Sequence, residues 1–229
     1  APLLTGTVGS NTFNSNSSLV NVDIGSATTI STSAFVNASG LVSIDLSNVV
    51  TIGTTSFIGC SSLTDVINLN SCTSIGFGAF YSLTLLESMD TPLVTWVGEE
   101  AFYNCQAITS WSFPELLTFD SGTGGGTSGT FQKQTALTGF TAPSLTGITG
   151  GGAFGNNSAI TDIYMPLLTN CGGSSGSTNT FNLIQTGCTI TVGCELKTNN
   201  GGGRDGDIAY AEDTRSAIIN YTCIDFVEE

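Results

Sequence analysis

Residues 34–53 read AFVNASGLVSIDLSNVVTIG, residues 56–76 read SFIGCSSLTDVINLNSCTSIG, and residues 101–119 read AFYNCQAITSWSFPELLTF. Aligned on their first aromatic, the three share a small residue before a Phe. An aliphatic residue stands six positions after that Phe and an apolar one nine positions after it. Carried along the chain, the aromatic column is Phe13, Phe35, Phe57, Phe80, Phe102, Phe131, Phe154 and Phe181. The steps between them are 22, 22, 23, 22, 29, 23 and 27 residues. The residue before each is Thr12, Ala34, Ser56, Ala79, Ala101, Thr130, Ala153 or Thr180. The sixth position is Leu19, Leu41, Leu63, Leu86, Ile108, Leu137 and Ile160, and the ninth is Val22, Ile44, Val66, Met89, Trp111, Phe140 and Ile163. Proline closes four units, as Pro92, Pro114, Pro143 and Pro166. The two longest steps contain glycine-rich insertions, around 122–129 and 172–178, expected to lie on one edge as a second contact surface.

A single unit of this kind cannot bury its own apolar side; stacked units bury it between neighbours. The expectation is a mostly β repeat solenoid with one short strand per repeat of 22 to 23 residues, built around the L-x-x-I segment. The Phe packs across the same core and sets the coil width. The small residue before it leaves room for a tight helical or 3-10 turn. Proline after the strand removes an N–H donor where pairing stops.

A period of 22 to 23 lies within the leucine-rich-repeat range of about 20–29 residues. These words resemble the BspA-like leucine-rich repeats of bacterial, protist and phage surface proteins, whose unit reads roughly I-x-x-x-A-F-x-x-C-x-x-L-x-x-I-x-L-P. The Cys of that pattern is met by Cys60 and Cys105 only; other units carry Ala38, Leu83, Gln134 or Asn157 there. The resemblance covers about residues 1–194 and implies a right-handed coil of seven to eight repeats, with a C-terminal cap over 195–229. It also implies surface display: a fibre or spike component of a virion or cell-surface appendage, or a secreted adhesin cut from a longer precursor. A purely structural assembly subunit is a further possibility.

The totals narrow the function classes. Four Lys and Arg against 18 Asp and Glu give a net charge of −14. Nucleic-acid binding needs a basic footprint, which is missing, and docking on anionic lipid needs one too. No apolar run approaches the roughly 20 residues that span a bilayer. No basic segment followed by an apolar one opens the chain, so no signal peptide is read. Ala1 to Phe13 has the spacing of Ala142 to Phe154, so the chain is read as starting mid-repeat without a cap. The coil is expected to continue into a longer protein, to have been cut from one, or to dock its open end on a partner.

The sequence holds no His and no GK[ST] after its glycine runs, and no enzyme is read from it. Neither a cofactor nor a metal is implied. Seven cysteines at irregular spacing are not a disulfide framework, although Cys188 and Cys194 could bridge. Cys60 and Cys105 read most simply as small core hydrophobes. Glu99-Glu100 reads as solvated turn residues, and Asp205, Asp207, Glu212 and Asp213 could hold calcium but lack EF-hand spacing. The sequons at Asn16, Asn37, Asn156 and Asn220 are what so Asn- and Ser-rich a chain gives by chance.

The candidate surface is the outward strand face, carrying Asp23, Asp45, Asp65, Asp90, Ser110, Ser112, Asp162 and Tyr164. Short acceptors and hydroxyls there suit a host glycan or a basic protein patch, or contacts with other subunits of an assembly. The same residues are equally what a solvated strand face displays. In the C-terminal segment, 189–192 (TITV) is expected to close the stack, Asp207 to cap a short helix through Ala211, and 216–221 to form an edge strand.

Overall fold

The computed structural model describes residues 5–122, 129–171, 180–182, 184–193 and 206–222. It is a parallel-stranded repeat solenoid, mostly β, as the repeat spacing predicts. Most coils, however, carry two strands rather than one. One ladder consists of β1 (Thr5–Val8), β2 (Ser26–Ile30), β4 (Thr51–Ile52), β6 (Ser74–Ile75), β8 (Trp96–Val97), β10 (Thr118–Asp120), β12 (Gly147–Thr149) and β14 (Asn170–Cys171). Its strands of two to five residues are too short to display a period of two, which is why the sequence pattern does not announce them. Their inward positions, such as Val49 and Ile52 or Val94 and Val97, are buried.

The expected L-x-x-I strands form the second ladder, in two pieces. One is β3 (Ser43–Asp45), β5 (Asp65–Ile67) and β7 (Ser88–Met89). The other runs through β9 (Ser110–Ser112), β11 (Gly139–Thr141), β13 (Asp162–Met165), β15 (Thr189–Gly193) and β16 (Ile218–Thr222). Like residues of successive repeats pair in register, for example Phe140 with Ile163 and Ile163 with Ile190. The closing strand at 189–192 is β15, and β16 adds a further parallel strand to it. Helix α1 (Gly206–Arg215) is longer than expected and starts before Asp207, so that residue lies within the helix rather than capping it. Ile208 and Ala211 of α1 are buried in the same core as the repeats.

Between the ladders runs the turn around each Phe. It is not a helical turn of either expected kind. Residues two before and two after the Phe have positive φ: Ser33 (58°) and Asn37 (57°), Glu100 (58°) and Asn104 (61°), or Gly78 (55°) and Ser82 (58°). The alternation turns amide groups toward the following coil. Ser33, Phe35 and Asn37 donate N–H to the carbonyls of Thr54, Ser56 and Ile58 at 2.9, 2.8 and 2.7 Å. Thus the turn is itself a hydrogen-bonded ladder, and its left-handed positions fall mostly to Asn, Ser and Gly; Gly and Asn tolerate them best.

Inside, the Phe rings stack. Centroids from Phe13 through Phe102 are 4.9, 5.1, 5.1 and 5.5 Å apart, with interplanar angles of 13° or less. Phe102, Phe131, Phe154 and Phe181 continue the column at 5.6, 5.9 and 5.9 Å. From Phe35 onward every ring of the column is fully buried. The coil width is therefore set by one aromatic stack, and the sixth-position Leu and Ile pack against it.

Candidate functional site

Six of the predicted residues are outward positions of the second ladder, while Asp23 and Asp90 lie just outside its strands. Ser43, Asp65 and Ser88 are in register, as are Ser110, Gly139 and Asp162, and Ser112, Thr141 and Tyr164. Neighbouring strands lie about 4.8 Å apart, so these side chains form columns at that pitch. All eight candidates are exposed; Tyr164 is 40% exposed.

They are not equivalent. Asp23 Oδ1 accepts the Gly25 amide at 2.8 Å and Asp45 Oδ1 accepts the Ser47 amide at 2.9 Å. Those two carboxylates hold the bend that leaves the strand, a structural duty that the repeat pattern alone does not assign. Asp65 accepts its neighbour Thr64's hydroxyl, at 3.1 Å. Beside the acidic column runs the column of Gly25, Ser47, Asn70, Pro92 and Pro114. Two depressions open between these columns. A small one is lined by Val22, Asp23, Ile24, Gly25, Asp45 and Ser47. A wider one of about 270 Å³ is lined by Asn70, Asp90, Thr91, Pro92, Ser112 and Pro114.

Charge is unevenly spread around the coil. Asp23, Asp45, Asp65, Glu87, Asp90 and Asp162 lie on or beside the strand face. The described cations are elsewhere: Lys133 sits 5.1 Å from the ring centroid of Tyr103, and Arg215 donates Nε to the Ile184 carbonyl at 2.8 Å. On the first ladder the outward residues beside the inward anchors are Thr7, Thr29, Thr51, Ser74, Trp96, Thr118, Gly147 and Asn170, all uncharged. Asp120, which follows the inward Phe119 on β10, forms a second acidic group there with Glu99 and Glu100, so both sides carry carboxylates and the strand face carries the longer run of them.

A repeat solenoid with a buried Phe stack and a BspA-like unit matches the family model described as BspA type leucine-rich repeat region, in six copies over residues 6–121 and 70–175. The chain belongs to the BspA-type leucine-rich repeat family. Among solved structures it is similar to a leucine-rich cell surface protein from Faecalibacterium prausnitzii, with 23% identity and a TM-score of 0.57. That match covers 72% of this chain and 43% of the other. It is also similar to a leucine-rich repeat protein from Bacteroides ovatus, with 17% identity and a TM-score of 0.54, covering 90% of this chain and 60% of that one. The chain thus spans less than two thirds of either protein's length. No curated protein matches it.

The BspA-type cysteine column has a chemical role here. The Cys60 thiol donates to the Phe35 carbonyl of the preceding coil at 3.1 Å, and Cys105 to the Phe80 carbonyl at 3.2 Å. Both are fully buried, as expected of core hydrophobes, but each also supplies a polar atom with a partner. Gln134 and Asn157, which depart from the family pattern, make the same bond with Nε2 to Phe102 O and Nδ2 to Phe131 O, each at 2.8 Å.

Burial pushes the thiols of Cys60, Cys105 and Cys188 up to about 12, and that of Cys72 to about 11, by penalising the thiolate. The folded chain therefore holds its thiol protons where the unfolded chain releases them. The linked stability is fully present below pH 9 and is lost as pH rises from there toward about 12. Iodoacetamide at pH 8 is expected to leave these thiols intact in the folded protein and to modify them on unfolding. Fast alkylation of the native chain, counted by intact mass, would contradict this. Cys188 is a buried free thiol; its suggested partner Cys194 lies outside the described residues.

The other candidates lie largely outside the described residues. Of the calcium set, Asp205 and the Asp207 side chain lie outside the described residues, while Glu212 and Asp213 are exposed on α1. No group of three or more acidic or thiol side chains that could hold a metal occurs among the described residues. Of the glycine insertions expected as a second contact surface, 123–128 of the first and all of 172–178 also lie outside them.

Proposed function

We propose that this chain is a non-enzymatic, surface-displayed repeat module that attaches to a basic region of a protein on the surface it meets. It works at a cell-surface appendage or as a virion fibre component. The observation that carries this reading is the run of exposed carboxylates along one hydroxyl-bearing strand face, with the described cations, Lys133 and Arg215, engaged elsewhere. Such a field steers a basic partner and suppresses acidic ones. The cell-surface description of the Faecalibacterium protein supports the location. No helix among the described residues is long and apolar enough to cross a membrane.

A second reading rests on the hydroxyls of Ser43, Ser88, Ser110 and Ser112 with the exposed Tyr164, which suit a host glycan. Adhesion separates the two. Beads coated with the protein are laid on cultured epithelial cells. The triple variant Asp65→Asn, Asp90→Asn, Asp162→Asn spares the two carboxylates that hold bends. For a basic protein partner, it lowers bead retention by roughly tenfold and added salt lowers wild-type retention similarly. Retention that survives the triple variant but disappears after glycosidase treatment of the cells favours the glycan. Absence of retention under every condition removes attachment and leaves an assembly subunit.

A further inference from the structure

The second ladder is broken at one place. β7 pairs with β5 but not with β9, although the same two coils stay joined elsewhere. On the first ladder Trp96 of β8 pairs with Thr118 of β10. In the turn strip Phe80 N–H donates to Ala101 O at 2.9 Å, and Ser82 N–H to Tyr103 O at 2.8 Å. The bonds leading into each strand show the same gap. Thr64 N–H reaches Val42 O, Glu87 N–H reaches Thr64 O, and Thr138 N–H reaches Thr109 O, but among the described residues no bond joins Thr109 N–H to Glu87 O.

The inward side chains on the two sides of the break differ in size. The coil of Phe102 carries Trp111 and Phe113 inward, 5.3 Å apart. Its neighbour places Thr91 opposite Phe113, eleven positions after its own Phe, and Thr91 is only 2% exposed. The Thr91 hydroxyl donates to Ser112 O at 2.9 Å, replacing the missing backbone contact. Pro92 and Pro114, which have no N–H, stand where further pairing would occur.

The wider depression lies on this seam. Asp90 and Ser112 stand on its strand side, Asn70 supplies an amide, and Pro92 and Pro114 give rigid apolar surface. The Asp90 carboxylate is the one charged group among the lining residues, and Ser112 and Asn70 add acceptor oxygens beside it. We propose that the seam is a receiving site for one arginine side chain of a partner protein. The guanidinium fork bonds to the Asp90 carboxylate and the oxygens of Ser112 and Asn70, and its stem lies on the two proline rings. This rests on the reading that the acidic ladder meets a basic protein. It adds a defined anchor to what is otherwise a diffuse field.

The test is an amide-resolved NMR titration of the ¹⁵N-labelled chain with N-acetyl-arginine-amide, N-acetyl-citrulline-amide and maltotriose, plus a hexa-arginine peptide. The expected result is that the arginine compound shifts amides at residues 88–93 and 110–113, while citrulline-amide does not. Asp90→Asn, a change at an exposed side chain, is expected to weaken that binding by about tenfold. Seam-localised shifts in the wild type support the site even if the variant misfolds. Arginine or hexa-arginine shifts spread evenly along Asp23, Asp45, Asp65 and Asp162, unchanged by Asp90→Asn, overturn the seam site but keep the basic-partner reading. Seam shifts with maltotriose alone, or no response to hexa-arginine, overturn both.

Discussion

Replacing Phe131 by alanine lowers the free energy of unfolding by about 3–5 kcal/mol, the range for truncating a large buried aromatic. Phe131 is chosen because it joins more rings than any other member of its column. It stacks on Phe102 at 5.6 Å and on Phe154 at 5.9 Å, and it meets Trp111, Phe113, Phe119 and Phe140 at 5.9, 5.6, 5.2 and 4.9 Å. Emptying that volume leaves a cavity walled by rigid rings, which collapse onto it poorly. The ring also couples the Phe102 coil to the Phe154 coil across a 29-residue step, where part of the sequence is insertion. Solenoid stability is a sum of units and nearest-neighbour interfaces, so losing this interface is expected to uncouple the two halves. Urea unfolding followed by Trp fluorescence and circular dichroism should then show two separated transitions where the wild type shows one. Phe77→Ala is the control, because Phe77 is 41% exposed and its loss costs less than about 1 kcal/mol. A Phe131 variant that unfolds in one step with a loss below about 1 kcal/mol would remove the stack from its role as the organising element.

That stack was legible in the sequence because stacking forces one residue of each coil to recur at a fixed step. Seven Leu or Ile at the sixth position made the same case. The first ladder was not legible: two outward residues stand between its buried ones, as Val50 and Thr51 do between Val49 and Ile52, so there is no alternation to read. Nor was the turn strip, whose left-handed positions are filled by Asn37, Gly59, Ser82, Asn104 and Lys133. What these share is a backbone angle, not a side-chain class. The strand-face residues were found by their offset from the Phe, but their division of labour was not. Asp23 and Asp45 hold bends, whereas Asp90 borders the seam, and the difference depends on the turn at the end of each strand. The seam itself, where Thr91 in one coil faces Phe113 in the next, is visible only once the columns are stacked.

Gln134 is the position where a departure from the family's cysteine carries the most energy. Its Oε1 accepts the Trp111 indole N–H at 2.7 Å, and its Nε2 donates to Phe102 O at 2.8 Å. Its own amide donates to Asn157 Oδ1 at 2.8 Å, while Asn157 Nδ2 donates to Phe131 O at 2.8 Å. Gln134 and Asn157 are fully buried and Trp111 is nearly so; the chain of bonds ties three successive coils together. Gln134→Leu keeps the volume but leaves an indole N–H and a carbonyl unpaired inside the core. At about 1–3 kcal/mol for each stranded group, the loss is about 2–5 kcal/mol. A Cys60-like thiol can serve the carbonyl but cannot reach out as an acceptor to the indole, so Gln134→Cys is expected to fall between Leu and wild type. The decisive comparison is a double-mutant cycle by denaturant unfolding. With Trp111→Phe already in place, the indole donor is gone and Gln134→Leu strands only the Phe102 carbonyl. Its cost should drop by about 1–2 kcal/mol relative to the wild-type background. Costs that simply add would mean that Trp111 and Gln134 are neighbours by packing alone, and that the large inward residues beside the seam are not held in place by this network.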